Sequence, residues 1–383
     1  MHDTDLDPFE DAPPPRPRRG RMARRVALLG LAAVAGGAAF ARVRPGFGSG
    51  GAADTESRDD WAAFAARYIS PDGRVVDTGN GGMTHTEGQG YGMLFAAHFD
   101  DRPTFDRLLA WTESNLRRSG DALHSWQFRP DAAVAVPDRN NATDGDLMIA
   151  WALLRAGRRW GDPGYTGQGS AIAADLLRWC TREVAGVTVL LPAAYGFESA
   201  GRVVVNPSYY VFPAIAAMAR AMPDTAWERL RADGLRLLGA GCFGRWKLPA
   251  DWLEIRDGDW RTLAPAQGWA ARFSWDAVRV PLNMVWGGLA DDPALDGVAG
   301  FWQSRSRGGP PAWASLTDNA VAPFAASCGV CAVAQVLSAA RAAGTDDTPA
   351  LPHVGEADDY YAAALVLLAR VAWYEYRTAA ASV

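Results

Sequence analysis

Three acidic residues, Glu87, Asp144 and Asp276, are the first candidates for chemistry in this sequence. Each lies in a polar or glycine-rich approach to a predicted helix, and carboxyl groups that enter an apolar layer are often present for chemistry because their burial is costly. Each also has a structural explanation when it is considered alone, since an acid in the first turn of a helix complements the helix dipole and a surface acid forms ion pairs. Their surroundings must decide between the two explanations.

The segment around Asp144 is the most informative part of the chain. Residues 142–160 read ATDGDLMIAWALLRAGRRW and predict a helix that has almost no polar face, with Thr143 as a candidate N-cap. Asp144 and Asp146 lie two positions apart in the first turn, so their side chains diverge. We expect one of these acids to be functional and the other structural, on an inner helix that is covered on all sides.

The other two acids have distinctive neighbours. Glu87 lies in the run HTEGQGYGM, where alternate glycines let backbone or ligand approach the carboxylate and no Gly-Lys-Ser/Thr follows that would indicate a phosphate loop. Asp276 lies in the run RFSWDAVRVP, in which Ser274 is a candidate helix cap. Arg279, three residues after Asp276, is placed to hold that carboxylate ionised.

The rest of the sequence predicts the elements that must position these acids. Helical periodicity recurs and alternating strand patterns are nearly absent, which indicates an all-α class, with a kink or an early helix end at Pro281. Many helices of similar length suggest an inner ring wrapped by an outer ring, with a cleft at one end. The N-termini of some inner helices face this cleft, and Asp144 lies at such a position. The predicted helices cover approximately residues 59–69, 91–118, 144–160, 169–183, 208–220, 224–239, 274–288, 318–342 and 356–376.

Length and composition predict one domain behind an N-terminal extension. A chain of 383 residues with 49% hydrophobic content can bury a large core, and we assign residues 58–383 to a single catalytic domain. Residues 1–41 predict a leader and export signal, and residues 42–57 predict a flexible linker.

The export signal is inferred from the order of its parts. Arg24 and Arg25 directly precede an apolar run over residues 26–40, which has the length of a signal peptide and resembles a twin-arginine signal with an incomplete consensus. Met22 is a candidate start of translation. An uncleaved anchor or a buried helix is the alternative. We expect a periplasmic or secreted protein.

Charge and cysteine content exclude several function classes. The formal net charge is -5 and Lys247 is the only lysine, which argues against nucleic-acid binding. The four cysteines lack the paired spacing of a structural zinc site, and both a disulfide and free thiols remain open for them. We expect no metal and no organic cofactor, and a monomer. The cysteines are Cys180, Cys242, Cys328 and Cys331.

Four motifs together resemble glycoside hydrolase family 8, in the branch of bacterial endoglucanases associated with cellulose synthesis. Residues 142–160 resemble the family signature that begins Ala-Ser/Thr-Asp-Ala/Gly-Asp. Residues 86–93, TEGQGYGM, are similar to the family's Ser-Glu-Gly-Gln element, residues 274–279 to a third element and residues 206–209, NPSY, to a fourth. The resemblance covers about residues 58–340.

This resemblance implies an (α/α)6 barrel that hydrolyses β-1,4-glucan with inversion of configuration. By the resemblance, Glu87 is the general acid, Asp276 the general base, and Asp144 holds the distorted sugar, while Tyr209 positions the water or the sugar. Inversion needs an acid and a base far enough apart to admit water, roughly 6.5 to 9.5 Å. In this arrangement Arg279 keeps Asp276 ionised, and crowding by Asp144 keeps Glu87 protonated.

Two tryptophans are assigned to substrate binding. Trp126 falls near a position where the family carries a subsite tryptophan, and aromatic faces stack on sugar rings as readily as they pack in cores. Trp275 stands before the expected base, where relatives often have Tyr, so the adjacent sugar is held without a phenolic hydroxyl at that position. The substrate is therefore expected to be a β-glucan polysaccharide, with the cellulose synthase complex as a candidate partner.

Other activities remain open at this level. A xylanase, lichenase or chitosanase of the same family differs mainly around the base. A polysaccharide lyase on a similar helical toroid would need basic groups to neutralise uronates, which the acidic domain provides poorly. A non-catalytic glucan-binding subunit would have no need of an acid and base pair.

Overall fold

Helices dominate the structure. The computed structural model describes residues 51–199, 201–256, 259–304, 309–342 and 348–380, and the leader predicted for residues 1–41 lies outside them. Across the described residues there are eleven α-helices, numbered α1 to α11 in chain order. Their bounds are Gly51–Tyr68, Thr86–Phe99, Arg102–Asn115, Thr143–Trp160, Pro163–Cys180, Phe212–Ala221, Thr225–Ala240, Arg279–Trp286, Asp296–Gln303, Cys328–Arg341 and Tyr360–Ala380.

Short strands lie in the connections between the helices. The sequence analysis did not predict these strands. In chain order, β1 to β12 are Thr84–His85, Gln127–Phe128, Thr181–Val184, Val187–Leu190, Glu198–Ser199, Arg202–Val205, Cys242–Phe243, Leu248–Pro249, Leu253–Arg256, Asp259–Pro265, Arg272–Phe273 and Ala314–Ser315. Strands β5, β6, β9 and β10 form one antiparallel sheet in the order β10-β9-β6-β5, and the others pair as β1-β2, β3-β4, β7-β8 and β11-β12.

Six helices form a closed inner ring. Helix α2 packs on α4, α4 on α6, α6 on α8, α8 on α10 and α11, and α11 returns to α2. The outer helices α3, α5, α7 and α9 pack against α2, α4, α6 and α10 respectively, and α1 packs against α11 and α2. The double ring predicted from the sequence is confirmed as an (α/α)6 barrel, with a single hydrophobic core that runs from α1 to α11.

Burial distinguishes inner from outer helices as the sequence pattern predicts. In α4, residues Thr143 to Leu154 are buried without interruption, so the helix is covered all round. In α3 the buried positions follow one stripe that includes Phe105, Leu108 and Trp111, and the other faces meet solvent. Thr143 is not the N-cap of α4, since Ala142 takes that position and the cap has no side-chain hydrogen bond.

The long helix predicted for residues 91–118 is wrong, because two helices meet there. Helix α2 ends with Asp100 in the left-handed conformation at φ 66°, a cap that reverses the chain direction. Asp101 then accepts a hydrogen bond from the Thr104 amide at 3.1 Å and caps α3. Pro103 lies in the first turn of α3, where a missing amide hydrogen is tolerated.

Two further helices begin later than the pattern suggests. Helix α8 starts at Arg279, so Pro281 lies in its first turn and causes neither the kink nor the early end that we predicted. Helix α10 starts at Cys328, after a Ser327 cap, and residues 318–327 form a loop. Helix α1, in contrast, already includes residues 51–57, which the sequence assigned to the linker. Across the described part of the chain, no helix is both long and apolar enough to cross a membrane.

Close contact between α2 and α4 depends on glycine. A β-carbon at Gly90 would lie 2.6 Å from the Met148 Cβ and 3.1 Å from the Ile149 amide nitrogen, which is closer than packed atoms allow. The missing side chain therefore lets the two inner helices approach each other.

We expect Gly90→Ala to reduce the free energy of unfolding by about 1–3 kcal/mol, because the added methyl group forces the two helices apart. Gly167→Ala in α5 is the matched control, since nothing lies within 4 Å of its β-carbon position. That control should gain about 0.5–1 kcal/mol from better helix propensity. Urea unfolding of both variants measures the difference, and equal stabilities would contradict the packing argument.

Candidate active site

The N-terminal ends of α2 and α4 bring Glu87 and Asp144 together at one end of the barrel. The two carboxyl groups share a hydrogen bond. Gly145 makes the approach possible, because a β-carbon there would lie 2.8 Å from the Glu87 amide nitrogen. His85 fixes the start of α2, since its Nδ1 accepts a hydrogen bond from the Gly88 amide at 3.0 Å.

Arg279, at the start of α8, joins two of the three candidate acids. Its Nη2 donates to Asp276 Oδ1 at 2.6 Å, and its Nη1 donates to Glu87 Oε2. Nη2 also donates to the Ser208 hydroxyl at 3.0 Å. The sequence predicted the contact with Asp276 but not the contact with Glu87. The guanidinium therefore stands between the two carboxylates, with each on a different nitrogen.

The surroundings of the two carboxyl groups favour the ionised form of Glu87 and the protonated form of Asp144, whereas the sequence analysis expected Glu87 to be protonated. Burial by itself raises the pKa of Glu87, but the charge of Arg279 and the hydrogen bond with Asp144 outweigh it and lower the pKa from 4.5 to about 2. Burial and the nearby Glu87 charge raise the pKa of Asp144 well above its usual value. Crowding does keep one carboxyl of the pair protonated, and Arg279 decides which one.

Tyr209 and its neighbours form the wall beside these acids. The turn Pro207–Tyr209 is held by Asn206, whose side-chain oxygen accepts hydrogen bonds from the Ser208 amide at 3.0 Å and the Ser208 hydroxyl at 2.7 Å. Burial and the charges of Asp144 and Asp276 raise the pKa of Tyr209 well above its usual value. Tyr209 therefore lies near both acids, as the motif suggested.

Trp126 lies beside the start of α2. Its carbonyl oxygen accepts a hydrogen bond from the Thr86 amide at 2.9 Å, where β1 pairs with β2. Its half-buried indole donates to Asp138 at 2.9 Å, which fixes the orientation of the ring.

Trp275 lies beside Asp276 and is 40% exposed. Tyr361, from α11, packs its ring edge-on to Trp275 at 5.9 Å and donates its hydroxyl hydrogen bond to the Trp275 carbonyl. A phenolic hydroxyl therefore does reach this part of the site, from a different helix. The sequence analysis missed Tyr361, because no local signal connects α11 to the loop before α8.

Asp251 is another residue that the sequence analysis missed. It lies in the connection between β8 and β9 and is only 6% exposed, and its carboxylate accepts hydrogen bonds from the amides of Ser274 at 2.9 Å and Ala277 at 2.8 Å. The Ser274 hydroxyl also donates to Asp251. We had predicted that Ser274 caps the helix, but it does not cap α8. It instead fixes the turn that carries Asp276.

Asp146 has the structural role that the spacing predicts for one of the two aspartates. It is fully buried and accepts hydrogen bonds from the His124 amide at 3.1 Å and the Asn141 side chain at 3.1 Å, and His124 Nδ1 lies 2.8 Å from it. The other imidazole nitrogen lies 3.3 Å from Glu113. This network ties the start of α4 to the segment that leads to Trp126.

The four cysteines are unbonded in the structure. Burial raises the pKa of the Cys180 thiol to about 11, and its sulfur accepts a hydrogen bond from Asn141 at 3.4 Å. Of the two arrangements left open by the sequence, the structure has free thiols.

This geometry can perform acid and base chemistry on a bond that lies across the barrel end. One carboxyl group, that of Asp276, accepts a hydrogen bond from the Arg279 guanidinium, and a second, that of Glu87, shares a hydrogen bond with a third, that of Asp144. Two carboxyl groups that can act as acid and base, at the end of a double ring of helices, are typical of the active site of a glycoside hydrolase.

The sequence profile of Glycosyl hydrolases family 8 matches residues 25–375, and the chain belongs to this family. It is 43% identical over 312 residues to a probable endoglucanase of Novacetimonas hansenii, covering 82% of this chain and 89% of that protein. It is also 43% identical to an endoglucanase of Cellulomonas uda, covering 71% and 75%. The solved endo-beta-1,4-glucanase CMCax from Acetobacter xylinum superposes with a TM-score of 0.79 at 42% identity, covering 85% of this chain and 99% of that one.

The buried His124 leads to a prediction about pH and stability. Burial alone would lower its pKa, but hydrogen bonds to Asp146 and Glu113 outweigh burial and raise the pKa from 6.5 to about 9. The charged histidine therefore stabilises the fold fully below pH 6.5, and this stabilisation disappears as the pH rises through 9. We expect His124→Gln to cost about 2–3 kcal/mol at pH 6 and much less at pH 9.5.

Urea unfolding at several pH values between 6 and 9.5 measures this difference. His353→Gln is a suitable control, because it removes a histidine whose side chain is about half exposed. A cost of His124→Gln that does not change with pH would contradict the charged state of His124.

Proposed function

We propose that this family 8 glycoside hydrolase is an endo-β-1,4-glucanase that inverts the anomeric configuration. The observation that carries the proposal is the arrangement of Glu87 and Asp276 on separate nitrogens of Arg279. The relatives at 43% identity, which are named as endoglucanases and align over most of this chain, support glucan as the substrate.

Asp276 acts as the general base. Its contact with Arg279 favours the ionised form, because a nearby opposite charge disfavours protonation. An ionised carboxylate can take a proton from a water molecule that attacks the anomeric carbon, and Tyr209, whose pKa responds to the charges of Asp144 and Asp276, orients that water or the sugar ring. The Arg279 guanidinium stands between base and acid, and an inverting enzyme needs room for a water molecule between its two carboxyl groups, which are then roughly 6.5–9.5 Å apart.

Glu87 acts as the general acid through its coupling to Asp144. In the free enzyme Asp144 holds the shared proton and Glu87 faces Arg279. When a sugar enters, the proton passes along the hydrogen bond from Asp144 to Glu87, which then protonates the leaving oxygen. Asp144 is left as a carboxylate beside the distorted ring and stabilises the positive charge that develops there.

Aromatic side chains bind the glucan on both sides of these acids. Trp126 adjoins the Glu87 helix and Trp275 adjoins Asp276, so a chain laid across the cleft meets one indole near the acid and one near the base. Tyr361 packs edge-on against the Trp275 ring at 5.9 Å and limits how far that ring can turn.

Export, a monomeric state and association with a cellulose synthase complex belong to the same proposal. Export is supported by Arg24 and Arg25 before the apolar run of residues 26–40. A periplasmic or secreted enzyme would meet the glucan outside the cytoplasm. The synthase partner is supported by the resemblance to the endoglucanase branch associated with cellulose synthesis.

We expect Glu87→Gln and Asp276→Asn to lower the release of reducing ends from carboxymethyl cellulose by about 10²–10⁴-fold, because each removes a proton-transfer group. Glu228→Gln on the outer helix α7 changes the same functional group at an exposed position and should leave activity unchanged.

The same assay separates the substrates of the family. Cellulose-type glucan should be cut faster than mixed-linkage glucan, xylan or chitosan. Full activity of Glu87→Gln would rule out its role as the acid, and faster cleavage of xylan or chitosan would rule out the glucanase assignment.

Inversion gives a separate expectation. Water that attacks from the face opposite the leaving group converts a β-bond into an α-product, so the first anomer released should be α. Proton NMR of a fresh digest, recorded before mutarotation, detects it. An initial β-anomer would mean that the base assigned to Asp276 acts as a nucleophile instead.

A further inference from the structure

The turn that carries the proposed base is held in place by a carboxyl group from another part of the chain. Residues 274–278 are not helical, and α8 begins only at Arg279. The turn has backbone hydrogen bonds of its own, from the Val278 amide to the Ser274 carbonyl at 3.1 Å and from the Arg279 amide to the Asp276 carbonyl at 3.0 Å, but these bonds lie within the segment. Asp251 ties the turn to another part of the chain, because one of its oxygens accepts both turn amides and the other meets the Ser274 hydroxyl.

Asp251 is itself fixed from both sides. Its own amide donates to the Arg272 carbonyl at 2.9 Å, next to β11. The following residue, Trp252, packs edge-on to Tyr209 at 6.4 Å and face to face with Trp269 at 5.0 Å. The residue that holds the base turn is thus joined to the wall that carries Tyr209.

We propose that Asp251 is a positioning residue for Asp276. Its carboxyl group sets the direction in which the base points, and it makes no contact with substrate. This inference rests on the proposed function only in taking Asp276 as the base. Positioning matters at this point because a displacement of about 1 Å in a catalytic group can reduce the rate by about 10²-fold.

The surroundings of Asp251 also favour its neutral form. Burial and, after it, the charge of Asp276 raise its pKa from 3.8 to about 7, against the hydrogen bonds from Ser274 and Ala277, which lower it. A neutral carboxyl group can accept hydrogen bonds from both amides through its carbonyl oxygen. Its other oxygen carries the proton and can donate it to the Ser274 hydroxyl oxygen. An asparagine has the same shape and the same pattern of one acceptor and one donor.

The test compares Asp251→Ala, Asp251→Asn and Ser274→Ala by kcat and KM on a soluble cello-oligosaccharide. At pH 5 we expect Asp251→Ala to lower kcat by about 10–100-fold with KM within about threefold of the wild type. Asp251→Asn should restore kcat to within about threefold, because it reproduces the neutral acid. Ser274→Ala, which removes only the hydroxyl contact, should fall between them.

The pH profile separates positioning from general damage. Wild-type kcat should change near pH 7 as Asp251 ionises, and this component should be missing in Asp251→Asn. A folded Asp251→Ala with wild-type kcat overturns the proposal, and so does an Asp251→Asn that is as slow as Asp251→Ala at pH 5. If Asp251→Ala does not fold, wild-type kcat in Ser274→Ala together with an unchanged pH profile in Asp251→Asn overturns it.

Asp276→Asn shows which hypothesis fails. If this variant keeps wild-type activity, the base assignment is wrong whatever happens at Asp251. If it is inactive while the Asp251 variants behave as the wild type, the base stands and the positioning role fails. Adding Asp251→Ala to Asp276→Asn should cause no further loss of activity, whereas structural damage would lower both backgrounds equally.

Discussion

The ion pairs of Arg279 with Glu87 and Asp276 are the interaction on which the rest of the site depends. A buried guanidinium needs partners for its charge, and the two carboxylates and the Ser208 hydroxyl provide them for both terminal nitrogens, while Nε has no hydrogen-bond partner among the described residues. The same contacts fix how far apart the acids stand. Burial of one cation thus holds the proposed acid and the proposed base in one arrangement.

The barrel meets this requirement by bringing helix starts to one end. Glu87 comes from the first turn of α2, Asp144 from that of α4, and Arg279 from the start of α8. Helices α2 and α4 can approach each other this closely only because Gly90 and Gly145 have no side chains where the two helices meet. The close packing of α2 on α4 at Gly90 and Gly145 is therefore a condition for the arrangement of the acids at the end of the barrel.

The electrostatic state of the acids follows from the fold and could not be obtained from their order in the chain. An Asp and a Glu in contact cannot both be ionised in a buried site, and the sequence indicates this crowding. Which of the two keeps the proton depends on where Arg279 points, and Arg279 is 192 positions away from Glu87 in the chain. The motifs supplied the three candidate acids, but they did not indicate that the surroundings favour the proton on Asp144.

The sequence by itself determined what local patterns record. It predicted the inner position of α4 from its apolar faces and a structural role for one of the two aspartates, which Asp146 has, from their two-residue spacing. The three candidate acids came from its motifs. The prediction of one long helix failed at Asp100, where a local left-handed cap ends α2, and the prediction for residues 274–277 failed because the distant Asp251 holds them as a turn. Only the tertiary structure could place Tyr361 and Asp251 beside Asp276, because hydrogen bonds between distant segments leave no periodicity in the chain.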